Sequence, residues 1–172
     1  MTDVDRLFRT YHTALVRYLT RRLGDRDWAE EVAQETFVRA LRQKSMENER
    51  AWLFAVATNL VRDEARKDNT RRKHLALLAE EERESMTEPR ETTLERAQEA
   101  ALARKAVDAL GEKDRLALLM REEGLDYNEI AEALQLSPGS VGTTLSRARR
   151  RLVESYEALE KSRQEREKNA AS

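Results

Sequence analysis

Apolar residues recur every three or four positions through most of this chain, which is the spacing of one face of an α-helix. The pattern is clearest at residues 3–23, where eight residues share one face: Val4, Leu7, Phe8, Tyr11, Leu15, Tyr18, Leu19 and Leu23. The chain has only 5 Gly and 2 Pro in 172 residues, and it lacks the runs of β-branched and aromatic residues that are typical of strands. Apolar residues make up 40% of the sequence and charged residues 38%, so the core must be divided among many amphipathic helices. The sequence therefore predicts an all-α fold.

Two further helices are predicted in the first half of the chain. Gly24 is a natural end for the first helix, and Asp27 is a suitable N-cap for the second. A polar stretch at 43–50 interrupts the periodicity and is expected to be a loop, after which a third helix begins near Ala51. Three large aromatic residues of these apolar stripes are assigned to core packing: Trp28, Phe37 and Trp52.

An acidic, polar stretch separates two groups of predicted helices. Residues 74–93 contain six acids and one proline, which is a composition typical of a linker. Helical periodicity resumes at Leu94. The predicted organisation is two small helical domains, 1–73 and 94–156, followed by a charged C-terminal tail at 157–172 that is expected to be frayed.

Composition excludes several classes of chemistry. The chain has no cysteine, so it cannot form a disulfide, a thiolate zinc site or a cysteine nucleophile. Its two histidines, His12 and His74, are interpreted as ordinary side chains. There is no Gly-rich phosphate loop and no catalytic constellation, so we expect no enzyme, no metal and no cofactor. No apolar run approaches the ~20 residues of a membrane span, and no signal-peptide pattern opens the chain, so a cytoplasmic location without membrane insertion is expected.

The most informative block lies at residues 127–152, where two helices are predicted on either side of a short turn at 135–137. Asp126 and Glu129 have the spacing of a capping box, and Ser137 followed by Pro138 is a typical helix start. The apolar residues of the two helices can pack together, Ile130, Ala131 and Leu134 against Val141, Leu145, Ala148 and Leu152. This pattern predicts a helix-turn-helix, in which the second helix enters the major groove of DNA.

The opposite face of that second helix carries groups that bind DNA. Helical geometry places short hydroxyls and arginines there: Ser140, Thr143, Ser146, Arg147 and Arg150. Residues 137–152 contain four arginines and no acid, the arginines being Arg147, Arg149, Arg150 and Arg151. The formal net charge of −1 is therefore an average over opposed patches and does not argue against phosphate binding. The alternative at this point is a solvated helical hairpin within a bundle.

Three segments together resemble a known family. They are Asp27-Trp-Ala-Glu-Glu-Val-Ala-Gln-Glu-Thr-Phe37, Trp52-Leu-Phe-Ala-Val-Ala-Thr-Asn-Leu-Val-Arg-Asp63 and the block at 127–152. In this order and spacing they resemble the extracytoplasmic-function (ECF) sigma factors of RNA polymerase, over about residues 7–73 and 94–156. The resemblance implies a subunit that binds core RNA polymerase and directs initiation at promoters by recognising their −10 and −35 elements.

The resemblance also implies roles for individual residues. The positions that contact the clamp helices of the largest polymerase subunit are matched by Glu31, Gln34 and Glu35, although charge alone would favour a solvated helix face. Recognition and melting of the −10 element fall on the loop and the third helix, at Ser45, Asn48, Asn59, Arg62, Arg66 and Lys67. A structural role is an equal alternative for Asn59 and Asp63. The implied −35 residues are Ser140, Thr143, Ser146, Arg147, Arg149 and Arg150.

At Gly142 the chain departs from the resemblance, because the family often has Lys or Arg there. One −35 contact is therefore expected to be missing, which leaves Thr143, Ser146 and Arg147 as the main readers. Two further partners are implied, the flap of the second-largest polymerase subunit and an anti-sigma factor. The linker is either a nucleic-acid mimic near the polymerase active centre or a solvated tether.

Two other functions stay open on the sequence alone. One is a stand-alone helix-turn-helix transcriptional regulator, which should bind duplex sites tightly by itself, usually as a dimer. The other is a helical scaffold without a nucleic-acid function. A sigma factor differs from both, since it should bind DNA weakly alone and initiate specific transcription when core polymerase is added.

Overall fold

The structure is a computed structural model that describes residues 2–67 and 93–172, and the side chains of all of these except 65–67. The described residues form seven α-helices and no strand: α1 (Val4–Leu23), α2 (Arg26–Ala40), α3 (Glu49–Lys67), α4 (Leu94–Asp108), α5 (Glu112–Glu122), α6 (Tyr127–Leu134) and α7 (Pro138–Ala170). The all-α prediction is confirmed. The predicted linker, apart from Thr93, lies outside the described residues, as does His74. Among the seven helices, none combines the length and the apolar character that crossing a bilayer requires.

Local signals set the ends of the helices in the first half. Gly24 ends α1 as predicted, with a φ of 70° that glycine adopts without strain. The N-cap of α2 is Asp25, not Asp27, because the Asp25 side chain accepts a hydrogen bond from the backbone N–H of Trp28 at 3.0 Å. Asp27 instead lies in the first turn of α2, where a negative charge suits the positive end of the helix dipole. The third helix begins at Glu49, slightly earlier than predicted.

The last helix extends well beyond the helix-turn-helix. It runs without a break from Pro138 to Ala170, so the prediction of a frayed tail is wrong. One face of the extension stays half-buried and has the helical spacing of four, three and four residues: Leu152, Tyr156, Leu159 and Arg163. The long helix packs against α4, and Arg163 Nη1 donates a hydrogen bond to Gln98 Oε1 at 3.1 Å. Packing on α4 thus explains why the polar extension is helical.

The two groups of helices share one continuous apolar core. In the first group α1 packs against α2 and α3, and in the second group α4, α5 and α6 pack around α7. The groups meet where α6 lies against α3 and where α5 lies against α1. Fully buried residues from both groups belong to the same cluster, among them Leu53, Phe54, Leu116 and Ile130. The two predicted domains are therefore in direct contact in this structure.

Ion pairs between arginines and glutamates reinforce this contact. Five of them join the two groups with N···O distances of 2.6–3.1 Å: Arg17–Glu123, Arg21–Glu122, Arg22–Glu112, Arg50–Glu129 and Arg62–Glu112. In every pair the arginine comes from the first group and the carboxylate from the second. The charges of the two groups are thus complementary where they meet.

The pair between Arg50 and Glu129 also supports a helix end. The Glu129 carboxylate accepts two hydrogen bonds from Arg50, at 2.6 and 2.7 Å, and one from the backbone N–H of Asp126 at 3.0 Å. The Asp126 side chain in turn accepts a hydrogen bond from the Glu129 N–H at 2.8 Å, which completes the predicted capping box. The hydrogen bonds from Arg50 are the main reason why the pKa of Glu129 lies below its ordinary value.

We expect Arg50→Ala to lower the free energy of unfolding by about 1–3 kcal/mol at pH 7, because it removes two hydrogen bonds from a buried carboxylate. The pKa of Glu129 is lower in the folded state than in the unfolded state. The Arg50–Glu129 pair therefore contributes fully to stability at pH values above the pKa of an unfolded Glu, about 4.3. This contribution to stability is lost as the pH falls through the folded pKa.

Urea unfolding of the wild type and of Arg50→Ala between pH 7 and pH 3 measures this effect. The difference between the two proteins should shrink on acidification. Arg42→Ala, which removes an exposed arginine from the same helical group, is the control and should change stability little at any pH. If the free energies of unfolding of the two proteins differ by the same amount down to pH 3, the Arg50–Glu129 pair does not lower the pKa of Glu129.

Candidate nucleic-acid interface

The predicted helix-turn-helix is formed by α6 and the first turns of α7. Helix α6 ends at Gln135, whose φ of 55° and ψ of 47° are left-handed. Two backbone hydrogen bonds close this end, from Leu136 N to Ala131 O at 2.8 Å and from Gln135 N to Glu132 O at 3.4 Å. This is the hydrogen-bond pattern of a Schellman motif, which turns the chain sharply at a helix C-terminus. The turn directs the chain into α7.

The start of α7 differs in one detail from the prediction. Ser137 occupies the N-cap position and Pro138 the first helical position, but the Ser137 side chain makes no capping hydrogen bond. Instead the hydroxyl of Ser140 donates to the Ser137 carbonyl oxygen at 2.8 Å. Ser140 is thus already engaged with the protein backbone, and it is half-buried.

The two faces of α7 divide as predicted. Three of the four residues assigned to the apolar face are fully buried, namely Val141, Leu145 and Ala148, and Leu152 is half-buried. Of the six residues assigned to the −35 element, Thr143, Ser146, Arg149 and Arg150 are exposed, and Ser140 and Arg147 are half-buried. The structure therefore places the six on α7 outside the face that is buried in the core.

Gly142 lies beside an aromatic ring. A Cβ atom at this position would lie 3.5 Å from Cε2 of Tyr127, which is an ordinary van der Waals distance. The guanidinium carbon of Arg121 lies 5.7 Å from the centroid of the same ring, within the range of a cation–π contact. Packing around residue 142 therefore leaves room for a Cβ atom.

An acid that was not singled out in the sequence organises two arginines of α7. Asp114, in the first turn of α5, accepts a hydrogen bond from Arg147 Nη2 at its Oδ1 and one from Arg151 Nη1 at its Oδ2, both at 2.9 Å. Burial by itself would raise the pKa of Asp114, but the hydrogen bonds and charges of the two arginines outweigh it, and the pKa lies below its ordinary value. Arg147 is therefore held by the protein and is not a freely moving side chain.

In the first group, the residues predicted to bind polymerase share the exposed face of α2. Glu31, Gln34 and Glu35 are all exposed, and Glu35 accepts a hydrogen bond from Arg39 Nε at 3.1 Å. Trp28 and Phe37 of the same helix are buried in the core, as predicted. Trp52 on α3 is partly buried against the same core.

The residues predicted for the −10 element lie in two places. Ser45 and Asn48 lie in the loop before α3, the first exposed and the second half-buried, whereas Asn59 and Arg62 lie on α3 itself. Asn59 is exposed, as is Asp63. The last two members of the set, Arg66 and Lys67, belong to the end of α3, but their side chains lie outside the described residues.

Arg62 is engaged with the second group of helices. Its Nε donates to Glu112 Oε1 at 3.1 Å, and Arg22 Nη2 donates to the same oxygen at 2.9 Å. The fold therefore brings a predicted −10 residue against a carboxylate of α5. Periodicity and spacing gave no indication of this contact.

Comparisons with known proteins agree with this architecture. Residues 7–72 match the family model of sigma-70 region 2, and residues 100–152 match that of sigma-70 region 4. The chain is 30% identical over 170 residues to the RNA polymerase sigma factor YlaC of Bacillus subtilis, covering 95% of both proteins. It is 32% identical over 148 residues to the ferric citrate uptake sigma factor FecI of Escherichia coli, covering 83% of this chain and 84% of that protein.

The fold is similar to a solved sigma factor structure. This is the sigma factor RpoE in complex with the anti-sigma factor NepR from Bartonella quintana, with a TM-score of 0.65 and 20% sequence identity. The similarity covers 91% of this chain and 98% of that chain. The arrangement of helices described above is thus one that a known protein also adopts.

Proposed function

Because the chain belongs to the ECF group of sigma-70 RNA polymerase sigma factors, we propose that its exposed residues form three binding surfaces, one for core polymerase and two for promoter DNA. The protein is a promoter-recognising sigma factor. The similarity extends over both helical groups, and nothing supports the alternative of a stand-alone regulator. Sigma factors are not an enzyme family, and we propose that this one acts in the cytoplasm without an enzymatic activity of its own.

The proposed polymerase surface is the exposed face of α2. Glu31, Gln34 and Glu35 place two carboxylates and an amide on one side of a helix whose other side is anchored in the core. This stripe of acceptors suits a basic helical surface such as the clamp helices of the largest polymerase subunit. The second group of helices is the proposed contact for the flap of the second-largest subunit.

The proposed −10 surface combines the loop before α3 with one side of α3. Ser45, Asn48 and Asn59 supply hydrogen-bonding groups for unpaired bases. The exposure of Asn59 supports a DNA contact over a buried structural role. Arg62, Arg66 and Lys67 supply positive charge for the backbone. For Arg62 this requires that DNA replace Glu112 as its partner.

The proposed −35 surface is the recognition helix α7, and the observation that carries it is the exposure of its hydroxyl and arginine face. Thr143 and Ser146 can reach base edges, whereas Arg149 and Arg150 suit phosphates. Ser140 and Arg147 lie at the flank of this face. An anti-sigma factor is a further proposed partner, supported by the likeness of fold to the RpoE of the RpoE–NepR complex.

Transcription with purified core polymerase tests the proposed function. We expect the chain to direct core polymerase to a distinct set of start sites in a genomic library, whereas the chain alone should bind the same promoter fragments weakly. Core polymerase without the chain is the control. Start sites that do not depend on the chain, or tight binding of duplex DNA by the chain alone, would contradict the proposal.

The polymerase surface is tested by a charge reversal on α2. Glu31→Lys combined with Gln34→Ala should weaken association with core polymerase by about tenfold or more, because like charges would then face each other at the contact. The matched control is Glu165→Lys combined with Gln164→Ala, the same changes on exposed residues of α7. Fluorescence titration with labelled core polymerase measures both. Equal affinities for the two double variants would exclude α2 as the docking surface.

Gly142 offers a test of the −35 surface by gain of a contact. Gly142→Arg should tighten promoter binding by the holoenzyme. The slope of log affinity against log salt concentration should also steepen by about the amount expected for one more phosphate contact. Gly142→Ala is the control, since it should stabilise the helix by about 0.5–1 kcal/mol without changing the salt dependence. If Gly142→Arg and Gly142→Ala have the same salt dependence, residue 142 does not face DNA.

A further inference from the structure

We propose that Asp114 is a positioning residue for promoter recognition, which holds the side chains of Arg147 and Arg151 in the geometry in which they contact −35 DNA. This inference rests on the proposed role of α7 in binding the −35 element. It also adds Arg151 to the residues that contact DNA.

The geometry is that of one carboxylate shared by two guanidinium groups. Oδ1 of Asp114 accepts from Arg147 and Oδ2 from Arg151, each at 2.9 Å, so both oxygens are used. The Asp114 side chain is 3% exposed, whereas those of Arg147 and Arg151 are 31% and 54% exposed. The acid is therefore enclosed by the protein, and the two cations it holds extend to the surface.

The two arginines lie one helical turn apart on the same side of α7. By helical geometry this side borders the exposed face that carries Thr143 and Arg150. Two guanidinium groups so close together repel each other, and the carboxylate between them offsets that repulsion. Asp114 also lies in the first turn of α5, where the helix dipole favours a negative charge. Residues of two helices, α5 and α7, thus hold the two guanidinium groups in place.

Fixed arginines are useful for reading DNA because the long side chain otherwise loses conformational freedom on binding. Immobilising a free arginine opposes association, and a side chain that is already ordered avoids that loss. Each guanidinium has five N–H donors, and Asp114 uses one from each. Donors are therefore left over for bases or phosphates. The charge left by two arginines and one aspartate is still positive.

Two other roles for Asp114 predict different results. As a purely structural link between α5 and α7, it would affect folding but not the choice of DNA sequence. As a competitor for the arginines, it would weaken binding to all DNA, and its removal would strengthen binding to every sequence. Only a positioning role predicts that removing the carboxylate weakens binding to the matched sequence selectively.

The experiment uses the holoenzyme and two templates. One carries a promoter at which the wild-type holoenzyme initiates, and the other the same promoter with a scrambled −35 element. The ratio of initiation rates on the two templates is measured for the wild type and for Asp114→Asn. We expect this ratio to fall about five- to tenfold in Asp114→Asn. Glu132→Gln, an equal change of charge at an exposed residue of α6, should leave the ratio unchanged.

Two further variants separate positioning from a structural role. In an Arg147→Ala background, Asp114→Asn should lower the ratio much less than in the wild type, since one of the two side chains it positions is gone. Asp114→Glu keeps the charge but displaces the carboxylate, so it should fold and still lower the ratio. Thermal unfolding confirms that each variant is folded under the assay conditions.

The possible failures are distinguishable. If the wild type does not discriminate between the two templates, the proposed −35 role of α7 fails. If the wild type discriminates and folded Asp114→Asn or Asp114→Glu keeps the wild-type ratio, only the positioning role is overturned. Equal losses on both templates would show a structural link, and equal gains would show a competitor; either result overturns the inference.

Discussion

The burial of α6 is the constraint on which the rest of the structure depends. This helix has eight residues, too few to be stable alone in water. Four of its apolar residues are buried, Ile130, Ala131, Ala133 and Leu134, and they are covered by α3, α5 and α7 together. Burying α6 therefore joins the two helical groups into one core and also fixes the turn that aims α7. The orientation of α7, the proposed −35 helix, therefore depends on packing against the half of the chain that carries the proposed polymerase surface.

Carboxylates of the second helical group organise the arginines around this core. Glu112 forms ion pairs with Arg22 and Arg62, Glu129 with Arg50, and Asp114 with Arg147 and Arg151. These pairs neutralise part of the positive charge within the protein. The arginines of the protein therefore differ in whether a carboxylate already binds them. Arg149 and Arg150 are exposed on α7, whereas Arg62 and Arg147 already have protein partners.

Local signals predicted most of the fold correctly. The capping box at Asp126, the glycine end of α1 and the buried face of α7 all depend on residues within about one or two turns of each other, which spacing in the sequence reveals. Local signals failed where a neighbouring aspartate took the predicted role or where a distant helix intervened. Asp25 and not Asp27 caps α2, and the polar end of α7 is helical because α4 covers one of its faces.

The sequence by itself determined most of the helical segments, which face of α7 is exposed and which family the three motifs resemble. Only the tertiary structure decided which charges meet. The ion pairs join residues as far apart as Arg17 and Glu123, 106 positions, and even Asp114 and Arg147 are 33 positions apart. Helix periodicity and capping act over three or four residues, whereas these contacts depend on how whole helices pack. For that reason the arginine face of α7 could be predicted from the sequence, and the buried Asp114 behind it could not.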